Sequence, residues 1–397
     1  MAAGLLAALA LSAAPRIQIG EPVLVVEGPA AEKRWGRYQF PSLSQMADGS
    51  LAAFVHVEAD AAASYGLPQK TFVSKDGGAS WHADETAAGR ARGLLLANGD
   101  RLLLATTAPI PLAGRTLPKP AGEQVSYSVA HTIYRMRDLE PEFRLIFFDR
   151  YRRGASAWER ESTPLDDPKG FRYSVSGLFP RIWWGDMRLA PDQSLVAVVY
   201  PALDRIGKTF YHSPACYRSL DQGKSWRRRG RIRYLPDLAA DPVGKQRGGF
   251  GEPALEVLRD GSLLSVLRTT DGHGLGPMYL SRSRDLGKSW TKPAAFTKYG
   301  VMPRLLLLKN GTLVLATGRP GAELRFSFDG RGENWSEAYR LVPISSDKAQ
   351  GDSCGYTDLA ALDDHSFLVI YSWFKRPGAD GATHKAILVR RVEVSER

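Results

Sequence analysis

The chain of 397 residues has only two cysteines, Cys216 and Cys354, which excludes a disulfide-dense scaffold and any cysteine-rich zinc module. Its seven histidines form no H-x-H or H-E-x-x-H pattern, so the sequence points to no metal, and it points to no cofactor either. No apolar run approaches the ~20 residues that a helix needs to cross a bilayer. Low-complexity tracts are missing as well, and a composition of 44% hydrophobic and 24% charged residues excludes a disordered or fibrous chain. Abundant instead are glycine and proline, 39 and 25 residues spread evenly along the chain, which lean the reading towards turns and an all-β fold.

The first residues contain a short apolar run, Ala2 to Ala14, ending in small side chains. It is similar to the apolar core of an export signal without the basic residues that usually precede one, so residues 1–15 are read as signal-like and a secreted or periplasmic location is expected. Residues 16–397 then form one domain. No linker divides it, and 107–180 is read as an insertion or a longer unit.

Six short apolar runs are each interrupted by a turn and then resume, around Asp48, Asn98, Asp192, Asp260, Asn310 and Asp364. Asp-Gly and Asn-Gly supply the positive φ that a tight turn between twisted strands requires, so each run predicts a β-hairpin. A second repeat interleaves with the first. SKDGGASW at 74–81, SLDQGKSW at 219–226 and SRDLGKSW at 283–290 are copies of S-x-D-x-G-x-x-W. SFDGRGENW at 327–335 is a fourth copy with one extra residue, and Asp149, Gly154 and Trp158 suggest a degenerate fifth. The aspartate caps a turn, the glycine lets it bend and the tryptophan packs over the fold, which is a structural role.

This repeat is the Asp-box, or bacterial neuraminidase repeat, and from about residue 20 onward the chain resembles the sialidase superfamily. The resemblance implies a six-bladed β-propeller of four-stranded antiparallel blades. The last hairpin has no box after it, so a strand from RIQIGEPVLVVE is expected to join HKAILVRRVEV and close the ring.

In such a ring, residues at equal distance from each turn stand at one level. Eight residues before each turn are Phe40, Arg90, Trp184, Glu252, Met302 and Tyr356; six before are Ser42, Arg92, Asp186, Ala254, Arg304 and Asp358. Eight after are His56, Thr106, Tyr200, Arg268, Gly318 with Arg319 beside it, and Ser372. A sheet core would be apolar at these places, and period-two alternation puts each set on one face. Arginine, carboxylate and aromatic side chains gathered at one level predict a pocket for an acidic or polyhydroxylated ligand, with Arg304, Asp186, Asp358, Trp184 and Tyr200 among its binding residues.

The family resemblance implies roles. Tyr356 stands where sialidases carry a nucleophilic tyrosine, Glu252 where its carboxylate partner stands, and Arg268 and Arg319 at two of three positions that grip the substrate carboxylate. The third arginine is replaced by Gln39 in Tyr38-Gln39-Phe40-Pro41, and a neutral amide cannot replace a bidentate ion pair. On the loop after the first hairpin, where the resemblance places an acid/base aspartate, stand His56 and Asp60, with Asp60 three residues short of the family's position.

The resulting expectation is a sialidase-like retaining exo-glycosidase acting on sialic acid or a related acidic sugar. Two other readings stay open: a propeller that binds glycans without turning them over, and a polysaccharide lyase using His56 with Tyr356 or Tyr200 beside Arg268 and Arg319. The expected partner is a glycan or small sugar. The net charge of +11 fits an anionic glycan and a cell-surface environment equally well, and the basic stretch 227–234 reads as an alternating strand with a solvated face, since no nucleic-acid-binding motif accompanies it.

Overall fold

The computed structural model describes residues 15–395 except 31, 47, 85–92 and 127–128. The signal-like run, Arg90 and Arg92 lie outside the described residues. Among those residues the chain is nearly all β, with helical backbone confined to 3-10 turns of three or four residues such as Ala62–Ser64 and Pro141–Arg144.

Each hairpin turn is built from its own side chain. Asp48, Asp192 and Asp260 each accept bonds from the backbone N–H and hydroxyl of the serine two residues later, and Asn98 and Asn310 accept the corresponding N–H of Asp100 and Thr312. The last turn is displaced by one residue from the expectation. Asp363, not Asp364, accepts from His365 and Ser366, and Asp364 instead pairs with Lys309.

Three of the resulting sheets have four antiparallel strands: one from Gln39–Gln45 to His82–Ala83, one from Gly251–Val257 to Ala294–Ala295, and one from Val301–Leu307 to Tyr339–Arg340. The sheet of Thr357–Ala361, Ser366–Pro377 and Thr383–Ser395 is completed by Arg16–Ile19 and Val23–Glu27, both antiparallel to Thr383–Ser395. The first strands of neighbouring sheets lie side by side in chain order. Trp184–Leu189 contacts Gly251–Val257, then follow Val301–Leu307, Thr357–Ala361 and Gln39–Gln45.

Strands in such a stack are buried on both faces, so they read as continuous apolar runs rather than alternating ones. Ser366–Pro377 shows the division of labour. Phe367, Val369 and Tyr371 pack with Val314 and Phe326 of the preceding sheet, whereas Leu368 and Ile370 pack with Leu51, Ala53 and Val55 of the first. Each such side chain withdrawn from water contributes roughly 1.5–3 kcal/mol before entropy is counted.

The stretch 107–180 is not one contiguous insertion. Leu145–Tyr151 and Glu159–Asp166 continue the sheet begun by Leu94–Leu95 and Arg101–Leu104, and the parallel pairing of Leu165 with Trp226 joins that unit edge to edge with the sheet of Trp184–Leu189. The intervening segments form a separate five-stranded sheet, with Thr107–Pro111, Gly122–Ser126, Val129–Arg135, Phe171–Val175 and Leu178–Arg181.

The four S-x-D-x-G-x-x-W turns share one set of bonds. In the first, Asp76 accepts from Ser74 Oγ and the Ser80 amide at 2.7 and 3.0 Å, Ser74 Oγ accepts the Gly78 amide at 2.8 Å, and Trp81 Nε1 donates to the Gly78 carbonyl at 3.2 Å. Trp226, Trp290 and Trp335 repeat the last bond to Gly223, Gly287 and Gly332. The degenerate fifth copy does not belong with them. Asp149 lies inside strand Leu145–Tyr151 and pairs with Arg160 across the hairpin, since the spacing to Gly154 is too long for the turn.

The basic stretch forms strand Trp226–Arg231 and the residues after it, where Arg227, Arg228, Arg231 and Arg233 pair with Asp166, Asp167 and Asp204. The local charge is thus largely balanced.

Candidate functional site

Three first strands carry the same irregularity. The register slips by one residue between Gln39 and Ser42, between Gly251 and Ala254, and between Val301 and Arg304. In each, the residue eight before the turn adopts positive φ and is followed by proline: Phe40 at 49°, Glu252 at 40° and Met302 at 39°, before Pro41, Pro253 and Pro303. The bulge restores the pairing beyond it, so Gln39, Gly251 and Val301 stand opposite His56, Arg268 and Gly318. Left-handed backbone at non-glycine residues costs of order 1–3 kcal/mol each and persists where surroundings enforce it. Here the bulge turns the Glu252 side chain out of the ordinary pleat, as bulges beside functional sites do.

Glu252 meets three donors. Its Oε1 accepts the hydroxyl of Tyr356, and its Oε2 accepts Arg268 Nη1 at 2.5 Å and the Met302 amide at 3.0 Å. Arg268 Nη1 also reaches Tyr356 Oη at 3.1 Å, and its Nε donates to the Thr270 carbonyl at 2.6 Å. Burial alone would raise the Glu252 carboxyl, but the charge and hydrogen bond of Arg268, helped by Tyr356 and Arg319, hold it below the usual carboxylate range. Burial, then the Glu252 charge, pushes the Tyr356 phenol well above its ordinary value. The resting pair is therefore a neutral phenol donating to a carboxylate. A carboxylate so placed can take the phenol proton if Tyr356 Oη attacks an electrophile.

Arg319 is buried beside this pair. Its Nε and Nη2 donate to the Cys354 carbonyl at 3.3 and 2.9 Å, and its guanidinium lies 5.3 Å from the Trp35 ring and 5.8 Å from the Tyr356 ring. Trp35 links the neighbourhood. It packs edge-on against Phe40 at 5.8 Å and Phe374 at 6.3 Å, and its Nε1 donates to Asp60 at 2.9 Å. Gly36 lets this happen: at φ 95° a Cβ there would stand 2.4 Å from the Glu58 carbonyl and 2.5 Å from the Asp60 amide. Asp60 itself is exposed at the rim. His56 packs against Phe40 at 5.6 Å, and its Nδ1 lies 2.9 Å from the Gly36 carbonyl.

Gln39 is fully buried, and neither its amide oxygen nor its nitrogen has a hydrogen-bond partner. On the other side of the site Trp184 and Tyr200 stack at 5.8 Å with an interplanar angle of 11°.

Arg304, Asp186 and Asp358, expected among the binding residues, pair with one another. Arg304 bonds to Asp186 at 3.1 Å and lies 3.5 Å from Asp358, while Asp186 and Asp358 accept the Leu255 and Leu43 amides of adjacent first strands. Arg188 extends the network to Glu256. These side chains spend their capacity on one another and on the backbone, which a buried charge requires. They tie neighbouring first strands together two residues nearer the hairpin turns than Glu252 and Tyr356. Burial keeps the Asp358 and Glu256 carboxyls above their ordinary values despite these partners.

Sequence reasoning missed Trp35, although it lies four residues before Gln39, and missed the repeated proline after Phe40, Glu252 and Met302, which marks the bulge.

No protein-family model matches the chain, and no curated protein matches it. Solved structures do. A protein of unknown function from Dyadobacter fermentans DSM 18053 is 17% identical with a TM-score of 0.56, the match covering 95% of this chain and 99% of that one. The fold is that of the sialidase-like propellers. The NanB sialidase of Streptococcus pneumoniae matches 94% of this chain and 70% of its own at 13% identity and a TM-score of 0.50. An α-L-arabinanase of Penicillium chrysogenum, solved with arabinobiose, matches 94% and 98% at 15% identity and the same TM-score of 0.50.

Proposed function

We propose that the protein is a retaining glycosidase acting on sialic acid or a related acidic sugar, built on six four-stranded blades, of which the eight-stranded sheet supplies two. The observation that carries the reading is the Tyr356–Glu252 pair bridged by Arg268. Tyr356 Oη attacks the anomeric carbon as the bond to the leaving oxygen breaks, its proton passes to Glu252, and the leaving oxygen takes a proton from Asp60. Water then attacks the glycosyl-tyrosine bond, gives its proton to Asp60, and Tyr356 recovers its own from Glu252. A phenol nucleophile keeps a full negative charge away from an anionic sugar. Arg268, 3.1 Å from the reacting oxygen, and Arg319, 5.8 Å from the Tyr356 ring, supply positive charge for the sugar carboxylate.

Catalytic amounts of protein should release 4-methylumbelliferone from its sialoside or from another acidic member of a glycoside panel. Tyr356→Phe should lose at least a hundredfold in turnover, about what loss of the nucleophile implies. An unchanged rate rejects the role.

One observation favours a second reading, a glycan-binding propeller without turnover: Gln39 buries a neutral amide where the sialidase resemblance places an arginine. Sugar binding with no hydrolysis across the panel would select it.

A further inference from the structure

Strands Gln39–Gln45 and Leu51–His56 pair as far as Gln39 opposite His56, and the chain stays close on both sides beyond that pair. His56 Nδ1 lies 2.9 Å from the Gly36 carbonyl, and Arg37 reaches Glu58 at 4.0 Å. With glycine at 36 the backbone of 58–60 can lie against it, which sets Trp35 beside Asp60. Trp35 Nε1 then donates to Asp60 Oδ2 at 2.9 Å. Among the described residues this is the one hydrogen bond of the Asp60 carboxylate, and Oδ1 stays open at the rim.

An exposed aspartate without such a bond samples several rotamers, whereas a general acid works from a fixed place within reach of the leaving oxygen. The indole N–H also chooses between the two carboxyl oxygens. It only donates, so Oδ2 has to accept in both protonation states and the acidic proton is carried by Oδ1.

Trp35 is itself held. Its ring lies edge-on to Phe40 and Phe374 with the Arg319 guanidinium 5.3 Å away, and Phe40 lies 4.8 Å from Tyr356. One unbroken line of contacts, Tyr356 to Phe40 to Trp35 to Asp60, thus joins the proposed nucleophile to the proposed acid.

We infer that Trp35 is a positioning residue for the acid/base: it fixes the Asp60 carboxyl at a set place relative to Tyr356 and turns Oδ1 to the leaving oxygen. The inference rests on the glycosidase reading. The proton leaves Oδ1 for the departing oxygen as the Tyr356 Oη bond to the anomeric carbon forms, and the water of the second half-reaction returns it.

Two glycosides of one acidic sugar test it, a 4-nitrophenyl and a methyl glycoside. A nitrophenolate departs with little help, whereas methoxide needs the proton, and kcat/KM reports that cleavage. Trp35→Phe keeps a ring against Arg319 and Phe40 and removes the N–H. Its kcat/KM should fall about tenfold on the methyl glycoside and about threefold or less on the nitrophenyl one. Asp60→Ala should show the same selectivity more strongly, and adding Trp35→Phe to it should cost nothing further. A second measurement leaves Trp35 unaltered: one indole 15N–1H resonance of wild type should shift with pH and stop shifting in Asp60→Asn. Equal losses on both glycosides, losses that add in the double variant, or no such indole resonance would overturn the inference while the glycosidase reading stands. A wild type that cleaves neither glycoside although the indole resonance titrates rejects that reading, and the positioning role with it.

Discussion

The Tyr356 hydroxyl donates a hydrogen bond to Glu252, 104 residues away in sequence, and Arg268 touches both groups at once. Two paired strands of one sheet, Gly251–Val257 and Leu263–Arg268, and the residue just before strand Thr357–Ala361 of another sheet converge on this point. The carboxylate is thereby compensated by a cation and kept ionised, while the phenol stays protonated until an electrophile draws on it.

Replacing Glu252 tests that balance. Glu252→Gln keeps the shape but leaves the Arg268 charge buried without a counter-ion, which costs about 3–5 kcal/mol when a buried pair is broken from one side. Denaturant unfolding at neutral pH should show the loss. The wild-type contribution has a definite sign: a carboxyl held below its unfolded value of 4.5 stabilises the fold above that pH. The contribution is lost as pH falls through the lower folded value. The stability gap between wild type and Glu252→Gln should therefore narrow in acid.

Arg304 makes the opposite prediction. Removing it in Arg304→Met leaves Asp186 and Asp358 facing one another in a buried network where burial already raises Asp358. The ionised form of Asp358 then becomes costlier, so the variant should be least stable at neutral and alkaline pH and recover towards wild type as pH falls through the raised Asp358 value. A pH-independent difference in melting temperature would contradict the network.

The capped turns supply a third test remote from the chemistry. Asp285 and Asp329 are held down to about 2 against an ordinary 3.8. Burial opposes the shift, and hydrogen bonds from Ser289 and Ser283, or from Ser327, Arg331 and Asn334, outweigh it. Their stabilisation is fully present above about pH 4 and disappears as pH falls towards 2. Asp285→Ala should lower the melting temperature at neutral pH and leave kcat/KM for any substrate unchanged. A fall in kcat/KM at full folding would show that the turn reaches the site.

Much of this was legible in the sequence because turns are local. Asp48, Asp192 and Asp260 cap serines two residues away, so short motifs predict them, and counting from Asp260 finds Glu252 and Arg268, while Tyr356 was found by counting from Asp364, one residue past the aspartate that caps its turn. What was not legible depends on non-local pairing. The chain 145–166 could not be assigned to the sheet of Arg101–Leu104 from sequence, since the five-stranded sheet is threaded around it. Nor could the pattern say that Arg304 would be consumed by Asp186 and Asp358 while Gln39 would be left with nothing. Polar residues at one level look alike until their partners are known.

In the proposed function, Gln39 is the residue on which ligand charge turns. Gln39→Arg adds a cation where the amide is buried unpaired, so affinity for a sialic-acid-type carboxylate should rise by about 1.5–3 kcal/mol, roughly a charge-assisted bond. Direct binding in the Tyr356→Phe background measures it free of turnover. Unchanged affinity in a folded variant would place Gln39 outside the reach of the ligand.

In the proposed mechanism Tyr356 becomes covalently attached to the sugar. A fluorinated analogue of whichever acidic glycoside is turned over slows breakdown of such an intermediate, and intact-mass spectrometry with peptide mapping should then find one glycosyl unit on the peptide that contains Tyr356. An adduct on another residue, or turnover of the parent glycoside with inversion at the anomeric carbon, would contradict the account.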